Sequence, residues 1–201
     1  MLYVALATED ELSEAVGKRL LSEVEYPVEA SLLLRRNGYG YLRSGLKKWC
    51  EIASQQPVVL LTDLDRYVCP SELIRDWFGN VVRPNGLIFR IAVREIESWL
   101  LADHDAIREL IGQRGRLPTD PDALVDPKGK LLALAKNASK DVRLDLVKEA
   151  GAIALQGIGY NARLTDFVSS VWNPERAAGR SASLRRAREK LRDFAEVAYG
   201  A

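Results

Sequence analysis

The sequence predicts an α/β protein with a four-stranded, mainly parallel sheet flanked by helices, followed by a helical C-terminal region. Two observations carry this prediction. Before Gly112, short apolar runs alternate with amphipathic segments, which is typical of buried parallel strands separated by helices. After Gly112, proline and glycine interrupt the chain and strand signals largely disappear. We therefore divide the chain into an α/β domain over 1–112 and a helical region over 113–201.

Four apolar runs are the expected strands. They cover residues 2–7, 28–34, 58–62 and 87–93. The third run is almost entirely apolar, as expected for a strand that is buried on both faces. Its neighbours should therefore lie on both sides of it, and the order 2-1-3-4 is common for this pattern.

The segments between and after these runs have helical periodicity. Thr8 and Glu11 form a capping box, which predicts that the first helix opens there. Further helices are expected at 46–53, from Pro70 to Gly79 and at 94–103. In the C-terminal region the helical segments are 130–138, 141–150, 164–171 and 184–198.

Composition excludes several classes of protein. The chain has 201 residues, of which 47% are hydrophobic and 28% charged, so it is neither disordered nor collagen-like. Two cysteines and one histidine are too few for a disulfide scaffold or a His-rich zinc site, and they favour a cytoplasmic location. No apolar stretch reaches the roughly 18 residues of a membrane span, so no membrane partner is expected.

The overall charge of +1 is the sum of two unlike regions. Residues 1–112 contain 13 basic and 17 acidic residues, a net charge of −4, whereas residues 113–201 contain 16 basic and 11 acidic residues, a net charge of +5. The acidic excess lies at predicted strand ends, and the basic excess could hold a polyanion. The sequence therefore does not exclude nucleic acid as a partner.

Acidic residues follow three of the four predicted strands. Glu9 comes after the first strand, Asp63 and Asp65 after the third, and Glu95 and Glu97 after the fourth. The carboxyl ends of parallel strands meet at one edge of the sheet, where ligands bind. In the order 2-1-3-4 these carboxylates would converge.

A divalent cation explains such a cluster economically, because like charges this close disfavour folding unless they are neutralised. Oxygen ligands without nearby Cys or His indicate Mg²⁺ or Mn²⁺. We assign the metal ligands as Glu9, Asp63, Asp65 and Glu95. We assign the catalytic groups as Glu9, Asp63, Asp65 and Glu97.

Each acidic group also has a simpler interpretation. Glu9, Asp10 and Glu11 lie near a helix start, where acids complement the helix dipole. An aspartate at a strand end can be a turn former, and one of the two glutamates after the fourth strand can be a solvated surface residue. Which of the three acids after the first strand is the ligand stays open, with Glu9 preferred because it is nearest the strand end.

The acid after the first strand, together with Asp63-Leu64-Asp65 after the third, resembles the TOPRIM domain of primases, topoisomerases and OLD-family nucleases. Glu9 is the matching acid in this chain. The segments 2–11, 60–65 and 91–103 look like those of a family of uncharacterised bacterial TOPRIM-like proteins, related to OLD-type nucleases. The resemblance covers about residues 1–110, and it implies a TOPRIM or Rossmann-like sheet.

The resemblance also implies a metal-dependent nuclease, a possible ATPase partner and a role in antiviral (phage) defence. One departure bears on the site: the usual TOPRIM acid is followed by glycine, whereas Asp10 and Glu11 follow Glu9 here. The chain shows no obvious nucleophilic tyrosine of a topoisomerase. Nuclease activity therefore fits better than topoisomerase or primase activity.

A nucleic-acid substrate also requires basic residues near the acidic edge. Arg35, Arg36 and Arg43 surround a loop rich in glycine and tyrosine after the second strand, and Lys128 follows a proline in the C-terminal region. We expect these four residues to bind nucleic acid. An ordinary loop and a solvated helix start are the alternatives.

Two functions are consistent with the sequence. The first is a Mg²⁺-dependent nuclease or related phosphodiesterase. The second is a non-catalytic interaction subunit of a complex that contains an ATPase. Because the chain has no Walker A motif, any ATP use would come from another chain. The oligomeric state stays open, a homo-oligomer included.

Overall fold

The computed structural model describes residues 1–35, 40–148 and 156–200. Its centre is an all-parallel sheet of four strands in the order β2-β1-β3-β4, as predicted. The strands are β1 (Leu2–Thr8), β2 (Val28–Arg35), β3 (Val58–Asp63) and β4 (Leu87–Ala92).

Helices flank this sheet, and loops connect them to the strands and to one another. The helices up to residue 111 are α1 (Glu11–Ser22), α2 (Tyr41–Ser44), α3 (Leu46–Ala53), α4 (Pro70–Phe78), α5 (Ile96–Ala102) and α6 (His104–Ile111). After a short 3₁₀ turn (Pro121–Ala123) come α7 (Pro127–Ala135), α8 (Lys140–Leu146), α9 (Tyr160–Ser170), α10 (Pro174–Ala178) and α11 (Ala182–Gly200). No helix in the described ranges is long and apolar enough to cross a membrane.

The sheet buries apolar side chains on both faces. On one face, residues such as Leu6 and Leu61 pack with α1, α5 and the C-terminal helices. On the other face, residues such as Leu60 and Phe89 pack with α3 and α4. The first of these cores is continuous across residue 112, and α1 packs directly against α9. The C-terminal helices therefore complete the core of the sheet.

The start of α1 differs from the predicted capping box. Thr8 is still in β1, where it pairs with Arg35 of β2 and is buried. Asp10 is the N-cap instead, and its Oδ1 accepts a hydrogen bond from the backbone N–H of Ser13 at 2.8 Å. The prediction placed the helix start too early because the ladder with β2 continues to residue 8.

The other helix boundaries shift by a few residues. The segment predicted at 164–171 is helical from Tyr160, and the one predicted at 141–150 ends at Leu146, with residues 149–150 outside the described ranges. The sequence did not predict α2, α6 or α10. The segment predicted at 94–103 becomes helical only at Ile96.

Candidate active site

The carboxyl ends of β1 and β3 lie side by side at one edge of the sheet. Glu9 follows the last residue of β1, and Asp63 is the last residue of β3. Glu9, Asp63 and Asp65 together line a small cavity of about 90 Å³. The structure thus brings together three of the acidic residues that the sequence singles out.

The three acids after β1 have different surroundings. Glu9 lines the cavity and accepts a hydrogen bond from the Thr62 hydroxyl at 2.7 Å. Asp10 caps α1, and Glu11 is exposed in its first turn. Glu9 is therefore the acid of this group that belongs to the site.

The backbone positions Asp65 at the mouth of the cavity. Its φ is +50°, a left-handed conformation that aspartate tolerates better than most residues. The backbone N–H groups of Leu64 and Asp65 both donate to the carbonyl oxygen of Arg94, at 2.9 and 3.0 Å. In return, Arg94 Nη1 donates to the carbonyl oxygens of Asp65 and Tyr67, at 2.9 and 2.6 Å. Arg94 thus ties the loop after β3 to the end of β4.

The carboxyl groups in this cavity repel one another when they are ionised. Burial raises the pKa of Asp63 well above its ordinary value, and the negative charges of Glu97, Glu9, Asp65 and Asp10 raise it further. Among the described residues, no group donates a hydrogen bond to the Asp63 carboxylate. When Asp63 is ionised, no hydrogen-bond donor among the described residues therefore compensates its negative charge.

The same causes act more weakly on Glu9. Burial raises its pKa, the hydrogen bond from Thr62 opposes this shift, and the charges of Asp65 and Asp10 add to it. The pKa of Asp65 is also raised by burial, against the lowering effect of Arg66. A cation bound among these groups would relieve the repulsion.

Asp65 also faces a second, more open groove. This groove has a volume of about 640 Å³, and its walls include Arg66, Arg94 and Glu95 in addition to Asp65. Glu95 is the N-cap residue of α5, and its Oε2 accepts a hydrogen bond from the backbone N–H of Lys128 at 3.1 Å. Burial raises the pKa of Glu95, and that hydrogen bond opposes the shift.

Glu97 is engaged inside the protein. Its side chain is 5% exposed, and its Oε1 accepts a hydrogen bond from the Tyr160 hydroxyl at 2.6 Å. Burial raises the pKa of Glu97, while Tyr160 and the charge of Lys128 lower it. The ammonium group of Lys128 lies 4.8 Å from the centre of the Tyr160 ring. Through Lys128 and Tyr160, the C-terminal region contributes directly to the acidic edge.

The four basic residues that the sequence predicts to bind nucleic acid do not all lie at the acidic edge. Arg43 lines the Glu9 cavity, and its guanidinium pairs with Asp76 at 3.0 Å. Arg35, at the end of β2, pairs with Glu14 of α1 at 3.0 Å. Lys128 lies beside Glu95 and Glu97 as described above. Arg36 lies outside the described residues.

Two contributors to the site were not predicted from the sequence. Thr62 left a weak signal, because it is the one polar residue in the otherwise apolar run 58–62. Tyr160 left none: it is 63 positions from Glu97 and meets it only because α9 packs against the sheet side of the protein.

The acidic side chains of the described residues do not form a ready-made metal site. In the described part of the chain, no group of three or more Asp, Glu, His or Cys side chains is arranged so that it could hold a metal ion. Mg²⁺ is nevertheless often held by one or two carboxylates with water filling the other positions. Two of the three carboxylates that line the cavity, completed by water, would be enough to hold such an ion, and carboxylate oxygens are the donor type that Mg²⁺ and Mn²⁺ prefer.

Known proteins give no further guide to this site. A scan against protein-family models and searches of curated proteins and of solved structures found no match for the chain. The function has to be inferred from the arrangement of these side chains.

Proposed function

We propose that this protein is a Mg²⁺- or Mn²⁺-dependent phosphodiesterase of TOPRIM-like type that cleaves nucleic acid. One observation carries the proposal: Glu9, Asp63 and Asp65, from two neighbouring strand ends, line one cavity, and their pKa values are raised there. Such a cluster is costly to the apo protein and gains from binding a divalent cation. Hydrolysis of a phosphodiester needs little beyond such an ion.

Each of these residues has a distinct part in the proposed reaction. Glu9 and Asp63 would hold the ion, and Asp65 would connect it to the open groove, where the substrate has room. The bound ion supplies an activated water and stabilises phosphoryl oxygens. Attack of the water oxygen on phosphorus would break the P–O ester bond, a neighbouring carboxylate would accept the proton of the water, and the leaving oxygen would take up a proton from solvent and depart as an alcohol.

Basic side chains border the same acidic edge. Arg43 lines the cavity, and Lys128 lies near Glu95 and Glu97. Both could counter the charge of phosphate groups beside the ion. Arg35 is a weaker candidate, because its guanidinium already pairs with Glu14.

The setting of the activity is part of the proposal. The resemblance to TOPRIM-like bacterial proteins supports a role in antiviral defence beside an ATPase partner. Cys50 and Cys69 are unpaired, which is consistent with a reducing cytoplasm.

A non-catalytic interaction subunit is the second candidate. It is favoured by the internal contacts of Glu95 and Glu97, whose carboxylates accept hydrogen bonds from Lys128 and Tyr160. It is also favoured because the acidic side chains of the described residues are not already arranged as a group of three metal ligands.

Cleavage of labelled oligonucleotides separates the two candidates. Single- and double-stranded DNA and RNA are incubated with the protein in Mg²⁺, Mn²⁺ or EDTA, and the products are resolved on a gel. We expect cleavage with metal only, and a loss of at least about 100-fold in Asp63→Asn. Asp166→Asn, which removes an exposed carboxylate of α9, is the matched control and should cleave normally.

Cleavage that persists in EDTA, or that Asp63→Asn leaves unchanged, would contradict the nuclease proposal. Absence of cleavage by the wild type, together with co-purification of an ATPase that Asp63→Asn still binds, would support the interaction subunit.

A further inference from the structure

Three arginines lie near the β4 edge of the sheet, apart from the carboxylates. Arg90 lies in the edge strand β4 and is partly buried under α11. Its Nη1 donates to the carbonyl oxygen of Arg186 at 3.1 Å, and its Nε donates to the carbonyl oxygen of Phe89. The charges of Arg83, in the loop before β4, and of Arg186 both act on Arg90. We call Arg83, Arg90 and Arg186 the arginine cluster.

The cluster has no anionic partner in the described parts of the chain. None of the ion pairs between described residues includes any of its three members, and both hydrogen-bond acceptors of Arg90 are neutral carbonyl groups. Burial lowers the pKa of Arg90, and the positive charges of the other two arginines lower it further. Three cations kept together in this way repel one another, so an anion bound between them would be stabilised.

A small cavity lies against two members of the cluster. It has a volume of about 110 Å³, and Arg90 and Arg186 line it together with Ser183 of α11 and several apolar residues such as Ile74 of α4. Sites for drug-sized ligands occupy about 300–1,000 Å³. The volume of this cavity therefore suits a single small group, such as an oxyanion held by the two arginines.

We propose that the arginine cluster is a binding site for a phosphate group. The planar guanidinium fork matches the oxygens of phosphate and binds them with two parallel hydrogen bonds. The phosphate could be inorganic phosphate or a phosphodiester of a nucleic-acid backbone, since both present the same oxygens. The proposal does not depend on catalysis at Glu9 and Asp63.

Inorganic phosphate is the first probe. Its binding to the metal-free protein is measured by calorimetry at low ionic strength for the wild type and the double variant Arg83→Gln/Arg186→Gln. The side chains of Arg83 and Arg186 are exposed, so their replacement should not disturb folding. Arg90 is left unchanged because its side chain is partly buried and Arg90→Gln could prevent folding. We expect phosphate to bind the wild type, and we expect its affinity for the double variant to be lower by at least about tenfold. The matched control Arg185→Gln, next to Arg186 on α11, should bind within about twofold of the wild type.

A single-stranded oligonucleotide in EDTA is the second probe, and it identifies the source of the phosphate. Weaker oligonucleotide binding in the double variant, with a salt dependence reduced by about one to two phosphate contacts, assigns the site to a nucleic-acid backbone. Loss of phosphate binding alone assigns it to free phosphate. The proposal is overturned if the wild type binds no phosphate at millimolar concentration, or if Arg185→Gln weakens phosphate binding as much as the double variant does. It is also overturned if a glutamate-rich peptide binds the arginine cluster and phosphate does not.

Discussion

Replacing Asp63 by asparagine should make the apo protein more stable. The Asp63 carboxylate lies among four other carboxylates, and its pKa is raised well above the ordinary 3.8 by burial and by those charges. A polar group left without a partner in the interior costs roughly 1–3 kcal/mol. We therefore expect Asp63→Asn to increase the free energy of unfolding by at least about 1 kcal/mol at pH 7.5, and each 1 kcal/mol corresponds to about 2–4 °C in Tm for a chain of this size.

The pH dependence of this gain has a definite sign. Below pH 3.8 the carboxyl group is protonated in both the folded and the unfolded state, so the substitution gains nothing from charge. As the pH rises from 3.8 through the raised folded-state pKa, the wild type loses stability and the variant does not. The difference between them should therefore grow over that interval and then become constant.

Urea unfolding in EDTA, followed by circular dichroism between pH 4 and pH 8, measures the gain. Asp166→Asn is the control, because it removes one negative charge from an exposed position on α9. Millimolar Mg²⁺ should narrow the difference, since an ion that binds only the folded wild type stabilises it. If Asp63→Asn is less stable than the wild type at pH 7.5 in EDTA, or no more stable than Asp166→Asn, the electrostatic reasoning about the cavity is wrong.

Three further substitutions test contacts around the site and the core. Tyr160→Phe removes the hydroxyl donor of Glu97 and should cost about 1–3 kcal/mol in urea unfolding, with a loss that grows as the pH rises because ionised Glu97 needs the donor most. Arg176→Ala leaves the fully buried Asp103 without its bidentate guanidinium partner and should cost about 3 kcal/mol by the same measurement. Gly86→Ala would place its Cβ 2.2 Å from a backbone carbonyl oxygen at the end of α3, so we expect a Tm lower by at least about 4 °C in a thermal scan.

Each of these expectations can fail in a distinct way. A Tyr160→Phe loss that is equal at pH 5 and pH 8 would mean that Glu97 does not change its protonation state between these pH values, contrary to the pH dependence expected here. An Arg176→Ala cost no larger than that of the exposed Arg185→Ala would remove the argument for a buried charge. A Gly86→Ala protein with an unchanged Tm would show that α3 moves aside without cost.

The sequence predicts the elements whose signal is local and repetitive. The strand order and the meeting of Glu9 with Asp63 follow from four apolar runs with acids at their ends, because parallel strands align their carboxyl ends. The capping box at Thr8 predicted the start of α1 at the wrong residue. Thr8 pairs with β2 in the sheet, and Asp10 is the N-cap of α1.

Contacts between distant parts of the chain had no such signal. Tyr160 reaches Glu97 across 63 positions, and Arg186 reaches Arg90 across 96 positions. Both contacts depend on how the C-terminal helices pack on the sheet, which periodicity does not determine. The ion pair between Arg35 of β2 and Glu14 of α1 joins residues 21 positions apart and also left no signal in the sequence. The binding of nucleic acid by Arg35 stays a prediction.

Binding of Mn²⁺ to the metal-free protein, with no partner or substrate added, tests the metal site most directly. Calorimetry or electron paramagnetic resonance at pH 7.5 gives the number of ions and their affinity for the wild type, Asp63→Asn and the control Asp166→Asn. We predict one or two ions bound by the wild type and the control, and at least tenfold weaker binding by Asp63→Asn. No binding by the wild type at millimolar Mn²⁺, or equal binding by all three proteins, would contradict a metal site at Glu9, Asp63 and Asp65.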